Sequence, residues 1–301
     1  MKKWRFDEIE VWRVEEFQEP LLPPATLFPT ISEEILEKHR HWLKPRFQDP
    51  QSDLLILSFH SFLICTPQSV ILVDTCGGND KERPQKRRYH KNNYPYLKNL
   101  KNAGFEPEDI DFVLCTHLHV DHVGWNTRLQ NGNWVPTFPR AQYLFCRDEW
   151  DFWNQEYSNK GFTDDPYYKD SLLPIIDSGA AKIISCNYVI DDWVRLSPSP
   201  GHTPGHICVE LGRGTLNAIM TGDIMHHPIQ CSEPQLNSCF CVDPKLSEMT
   251  RRALINKFVG EPTLIMPAHF PCPSAGRFVA LGTETYFEFD NYHMKNRHNH
   301  F

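Results

Sequence analysis

The segment Thr116-His117-Leu118-His119-Val120-Asp121-His122-Val123-Gly124 puts three histidines and one aspartate within six residues. Imidazole nitrogen and carboxylate oxygen are the donors that borderline divalent ions such as zinc prefer. In extended backbone, positions 117 and 119 point to the same face, so both imidazoles can meet one ion. Asp121 and His122 fall where the chain turns, free to address a second ion nearby. Surface or capping histidines are the bland alternative, but four ligand-type residues crowded behind an apolar strand have no packing rationale. Two ions roughly 3.5 to 4 Å apart can share a bridging water and lower its pKa from 15.7 toward about 7, which makes hydrolysis the natural reaction.

The elements that must position these residues follow from the apolar pattern. Phe112-Val113-Leu114-Cys115 reads as a short buried strand running straight into the cluster. Two β-rich runs precede it, 53–66 and 69–75, separated by the turn Pro67-Gln68-Ser69 and ending at Asp74-Thr75-Cys76-Gly77-Gly78. Leu97 and Leu100 stand at helical spacing within 94–104, closed by Gly104. Further strands are expected at 143–145, 193–196, 206–211, 218–220 and 263–266, and helices at 147–155, 166–177 and 245–259. At the N-terminus, 6–17 reads as a half-exposed strand, and 32–43 as a helix capped by Ser32. With no repeat and no low-complexity linker, residues 1–301 are expected to form one domain. Residues 1–50 would be an N-terminal arm that covers the site or mediates a homodimer, and 290–301 a mobile tail.

Composition narrows the function classes. Lys plus Arg number 31 against 38 Asp plus Glu, a net charge of −7 that disfavours nucleic acid as a partner. The basic run from Lys81 to Lys91 reads as a solvated loop, with a patch for an acidic substrate as the alternative. The N-terminus lacks the apolar centre of a secretory signal, and no stretch approaches the ~18 apolar residues of a membrane span. A cytoplasmic protein without membrane contact is the expectation. Ten cysteines are scattered without a Cys-x-x-Cys pair, so reduced, inert thiols are expected, including Cys231, Cys239 and Cys241.

His-x-His-x-Asp-His behind an apolar strand resembles the metallo-β-lactamase superfamily. That resemblance implies an α/β fold, an αββα sandwich of two mixed sheets flanked by helices. It also implies three further ligands in fixed chain order, each just past a strand. Ser199-Pro200-Gly201-His202-Thr203-Pro204-Gly205-His206 supplies His202 for the first ion. Thr221-Gly222-Asp223 supplies a bridging Asp223, and Pro267-Ala268-His269 supplies His269 for the second ion. The implied metal set is therefore His117, His119, Asp121, His122, His202, Asp223 and His269, holding two divalent ions, Zn2+ by preference. His206 and the strand-end Asp74 are expected to orient ligands rather than bind.

Within the superfamily the complete ligand set resembles that of quorum-quenching N-acyl-homoserine lactonases and methyl-parathion-hydrolase-like enzymes. The implied activity is a lactonase or esterase in which a metal-bridging hydroxide attacks the carbonyl of a small-molecule ester or lactone. Asp121, Asp223 and His226 are the catalytic candidates. His226 stands where known acyl-homoserine lactonases often carry a tyrosine three residues after the bridging aspartate. Proximity to ligands nominates Trp125, Asn126, Met225, His227 and Phe270 for the substrate pocket, against ordinary core packing. The competing activities are an aryl phosphotriester hydrolase and a di-iron redox enzyme of the same fold; the latter class usually adds a glutamate ligand and a flavin domain, neither of which is present in this sequence.

Overall fold

Apolar and charged residues alternate along the start of the chain, and the computed structural model, which describes residues 2–160 and 166–290, folds this stretch into strands. These are β1 (Lys2–Phe6) and β2 (Ile9–Leu22), with Ile9, Val11 and Val14 fully buried. β2 then lies antiparallel to β3 (Leu55–Cys65), from Glu10 opposite Cys65 to Leu22 opposite Leu55. Much of the segment read as an N-terminal arm is thus built into the first sheet, its backbone N–H and C=O groups paired with β3. Between them come α1 (Pro24–Leu27) and α2 (Glu33–Leu43), the latter capped by Ser32 Oγ, which accepts from Ile35 N at 3.3 Å.

The chain continues through β4 (Val70–Val73), α3 (Tyr96–Asn102), β5 (Phe112–Leu114), the small hairpin β6 (Thr127–Gln130) and β7 (Asn133–Pro136), β8 (Gln142–Cys146), α4 (Arg147–Lys160), α5 (Leu173–Asp177) and β9 (Ala181–Ile184). The first sheet runs β1-β2-β3-β4-β5-β8-β9, with β4, β5, β8 and β9 mutually parallel. The second half supplies β10 (Val194–Pro198), β11 (Ile207–Leu211), β12 (Ala218–Gly222), α6 (Ile229–Ser232), α7 (Pro244–Phe258), β13 (Leu264–Pro267), β14 (Gly276–Leu281) and β15 (Glu284–Phe289). These six strands form the second sheet in chain order, antiparallel except for β12 beside β13.

Strand periodicity of two sorts side chains into layers. Ile64, Val73 and Leu114 face Leu196, Val209 and Met220 between the sheets. Their neighbours Leu63, Leu72 and Val113 point the other way, onto Tyr96, Leu100 and Ile175. Across the molecule Ile219, Ile265 and Phe278 meet Leu254, Ile255 and Phe258 on the outer face of the second sheet. The layers are therefore helix, sheet, sheet, helix, and both sheets are mixed. Each such fully buried side chain contributes about 1.5–3 kcal/mol, so Leu114→Ala would cost ~2–5 kcal/mol through transfer and cavity terms.

Three features depart from the sequence expectations. The helix expected over 166–177 divides into a π-helical turn at Tyr168–Leu172 and the short α5, where Pro174 lacks the N–H that a continuous helix needs. The hairpin β14–β15 and the strands β6, β7 and β9 add pairing that the apolar pattern did not mark. Cys146 and Cys186 are joined by a disulfide with Cα atoms 5.2 Å apart, against the expectation of reduced thiols throughout. The register that pairs Cys146 with Ile184 delivers Cys186 to it. Of the expected tail, residues 291–301 lie outside the described residues. No helix among the described residues is long and apolar enough to cross a membrane.

Candidate metal centre

Ligand-type residues converge at one end of the sandwich because both sheets end there. β5 runs into His117 and His119, β12 ends at Asp223, β13 leads to His269, and His202 sits in the β10–β11 connection. Ile207 N donates to Thr116 O at 3.0 Å, tying the first loop to the second sheet. The chain turns after His119, with His122 N donating to His119 O at 3.0 Å, so Asp121 and His122 swing to the other side.

Two groups of donors result: His117, His119, His202 and Asp223, and beside them Asp121, His122 and His269. His202 Nε2 lies 3.2 Å from His117 Nε2 and 2.9 Å from His119 Nδ1. Asp223 divides its carboxylate between the groups. Its Oδ2 is 3.7 Å from His117 Nε2 and 3.4 Å from His202 Nε2, and its Oδ1 is 3.3 Å from His122 Nε2 and 3.2 Å from His269 Nε2. Asp121 Oδ2 completes the second group, 3.7 Å from His269 Nε2.

In the second group, the ring nitrogens turned away from the donors face partners of their own. His269 Nδ1 donates to Ser58 O at 3.1 Å, and His122 Nδ1 is 3.0 Å from Asp74 Oδ2. Asp74, in left-handed backbone at φ 58, also accepts from Thr116 N at 2.7 Å. His206 does not join the cluster. Its Nε2 accepts from Asp223 N at 3.0 Å while its Nδ1 donates to Ser199 Oγ at 2.7 Å, which fixes the aspartate from behind.

The residues fit a pair of divalent ions. A tetrahedral ion with bonds of about 2.0–2.1 Å separates its ligand atoms by about 3.3 Å, the spacing seen here. Imidazole lone pairs facing one another at that distance repel unless a cation lies between them, and Asp223 Oδ1 is buried without a hydrogen-bond donor. Burial pushes His117 and His202 well below the ordinary histidine range and His119 to about 4, leaving them as neutral ligands. Burial also opposes charge on His122 and His269, yet the carboxylates of Asp223 and Asp121 outweigh it and push both up. The field that favours imidazolium there favours a metal cation equally.

A cavity of about 450 Å³ opens onto the centre at His119, Asp121, Asp223, His226 and His269. Its walls are apolar and aromatic, lined by Leu21, Leu57, Phe59, Trp153, Tyr167 and Phe240. His226 Nε2 stands 3.2 Å from Asp223 Oδ2. Tyr89 donates its OH to Asp121 Oδ2 at 3.3 Å, and Lys86 and Arg88 sit at the same wall. The basic run is therefore no simple solvated loop; Lys81 and Arg83 are buried on Asp170, with Arg83 gripping it at 2.6 and 2.8 Å.

Five residues expected in the pocket lie in the core instead. Trp125 stacks on Tyr96 and donates to Glu16 Oε1 at 2.7 Å. Met225 is fully buried beside Cys231, His227 Nε2 lies 2.9 Å from Phe47 O, and Phe270 packs on Phe287. Asn126 is likewise fully buried, accepting from Thr75 Oγ1 at 2.9 Å. Met225 and His227 flank the cavity-lining His226, and Phe270 follows His269, yet none of the three lines the cavity. Tyr89, Phe59 and Trp153, which sequence proximity missed, come from distant segments, and no local spacing marks them.

Residues 60–269 match the family model described as Metallo-beta-lactamase superfamily. An N-acyl homoserine lactonase from Bacillus sp is 33% identical over 107 residues, 36% of this chain and 35% of the relative. The match thus spans about a third of that relative's length. Among solved structures, one described as hydrolase AbOPH in beta lactamase superfamily is similar at TM-score 0.77 and 24% identity, covering 96% of this chain and 98% of that one. AidC, described as a dizinc quorum-quenching lactonase in complex with a product, reaches TM-score 0.75 at 19% identity, covering 96% and 97%.

Proposed function

The chain belongs to the metallo-β-lactamase superfamily, and from that premise we propose that it is a metal-dependent hydrolase with a two-ion centre, acting on a lactone or carboxylic ester. The observation that carries this reading is the split carboxylate of Asp223, one oxygen toward each donor group. Two divalent ions, zinc being suited to this nitrogen and oxygen set, would supply a hydroxide at neutral pH and polarise the substrate oxygen.

The chain's own residues do the rest. His117, His119 and His202 would hold one ion as neutral imidazoles, and Asp121, His122 and His269 would hold the other. Asp121 Oδ2, steadied by the Tyr89 hydroxyl at 3.3 Å, receives the proton released from the attacking water. His226 is the side chain placed to meet the substrate oxygen, being buried beside Asp223 and facing the cavity. The apolar wall of Leu21, Leu57 and Phe59 excludes water and takes an acyl group.

A second reading, aryl phosphotriester hydrolysis, is favoured by the aromatic wall of Trp153, Tyr167 and Phe240. Metal analysis together with hydrolysis of acyl-homoserine lactones, simple lactones, aryl esters and aryl phosphotriesters separates the two. Metal-dependent turnover of lactones or esters above phosphotriesters is the expected result. The reverse order replaces the first reading with the second, and a chain without bound metal or turnover removes both.

A further inference from the structure

One buried acid touches the loops of all three histidines in the first donor group. Glu149, in the first turn of α4, is 1% exposed, and among the described residues it has no cationic partner. Its Oε1 accepts from Leu118 N at 2.9 Å, the peptide between His117 and His119. The same oxygen accepts from Trp153 Nε1 at 2.6 Å, and that indole stands edge-on to His119 with ring centroids 5.3 Å apart. Its other oxygen, Oε2, accepts from Gly205 N at 3.0 Å, three residues after His202. The approach at Gly205 is so close that a Cβ there would lie 2.1 Å from Glu149 N.

A carboxylate buried without a cation is costly unless its hydrogen bonds and a nearby positive charge repay the desolvation. The two loop N–H groups supply the first part, and an ion held by the three histidines would supply the second. Resting on the two-ion reading above, we infer that Glu149 is a positioning residue for the three-histidine half of the centre, setting its loop geometry and adding negative charge behind it. Among the described residues the other half has no such strap from α4: His122 leans on Asp74, and His269 on Ser58.

Outer partners of this kind typically carry 10–100-fold in metal affinity. The test is stepwise zinc affinity of wild type and Glu149→Gln by competition with a chromophoric chelator, alongside melting of the metal-free forms. One stepwise constant is expected to weaken about 10–100-fold. Zinc should accordingly raise the melting temperature of Glu149→Gln less than that of wild type. Combined with His202→Ala, the substitution should leave the remaining ion's affinity unchanged, because the half it supports is already lost. Glu149→Asp, which keeps the charge but withdraws it by one methylene, should recover part of the loss and serves alone if the glutamine variant does not fold. Wild-type affinities in both variants, or a further loss on the His202→Ala background, overturn the inference. A wild-type chain that binds no zinc overturns the two-ion reading and this inference together.

Discussion

The two halves of the centre are built from similar donors but sit in opposite electrostatic settings. His117, His119 and His202 form a cage of imidazoles that burial keeps neutral, with Asp223 Oδ2 the one carboxylate oxygen among its donors and Glu149 behind its loops. The other half gathers Asp121 and Asp223 around His122 and His269, with Asp74 behind, and these carboxylates push both histidines toward the charged form. It also faces the cavity through Asp121, whose side chain is 17% exposed. On the proposed two-ion reading, the first half would retain an ion and the second would present one to substrate.

Breaking the shared element should have the largest effect. Asp223→Asn is expected to lower kcat/KM by roughly 10³-fold or more, with metal per chain falling in the same preparation. A variant that keeps both ions and full turnover would dissolve the distinction between halves. Next in size, His202→Ala and His269→Ala should each lose one ion by elemental analysis, and only the first should alter the response to Glu149→Gln. Chelation of wild type should then lower its melting temperature, since ions that bind only the folded chain stabilise it by mass action. Tyr89→Phe removes a hydrogen bond to a charged carboxylate and should reduce kcat about tenfold at unchanged metal content. Equal kcat with an altered metal count would move Tyr89 from proton handling to ion retention.

The smallest expected effect concerns Glu16, a second buried carboxylate. It accepts from Gly77 N and Gly78 N at 2.9 Å and from Trp125 Nε1 at 2.7 Å, bracing the loop on which His122 rests through Thr75. Burial pushes its pKa from 4.5 to about 7, against the pull of those donors. The folded chain then keeps a proton that the unfolded chain releases between pH 4.5 and about 7, so this group's contribution to stability falls as pH rises through that window. Urea unfolding of the metal-free chain should show that slope, and Glu16→Gln should flatten it. An unchanged slope would assign it to other groups.

How far the fold was legible varies by element. Ser32 announced α2, and the apolar tetrad ending at Cys115 announced β5, because capping and burial are local requirements. The hairpin β14–β15 carries half-exposed residues without a clean alternation, and it became visible only through pairing. The N-terminal strand was readable as a strand, but its partner was not, since register with β3 depends on residues some fifty positions away.

The site divides in the same way. Sequence alone nominated His117, His119, Asp121 and His122 by their spacing and His202, Asp223 and His269 by chain order after strands, and the fold brings all seven into two donor groups. Tertiary structure decided which face of each segment reaches the substrate. Neighbours in extended chain point to opposite sides, so Phe270 beside His269 faces the core while His269 faces the cavity. His227 beside His226 divides likewise, the first onto Phe47 O and the second onto Asp223. The pocket is instead walled by Leu21, Phe59, Tyr89, Trp153 and Phe240, brought together from across the chain by the two sheets ending at one edge. Proximity in sequence fixes ligands that share a loop; proximity in space alone fixes what lies in front of them.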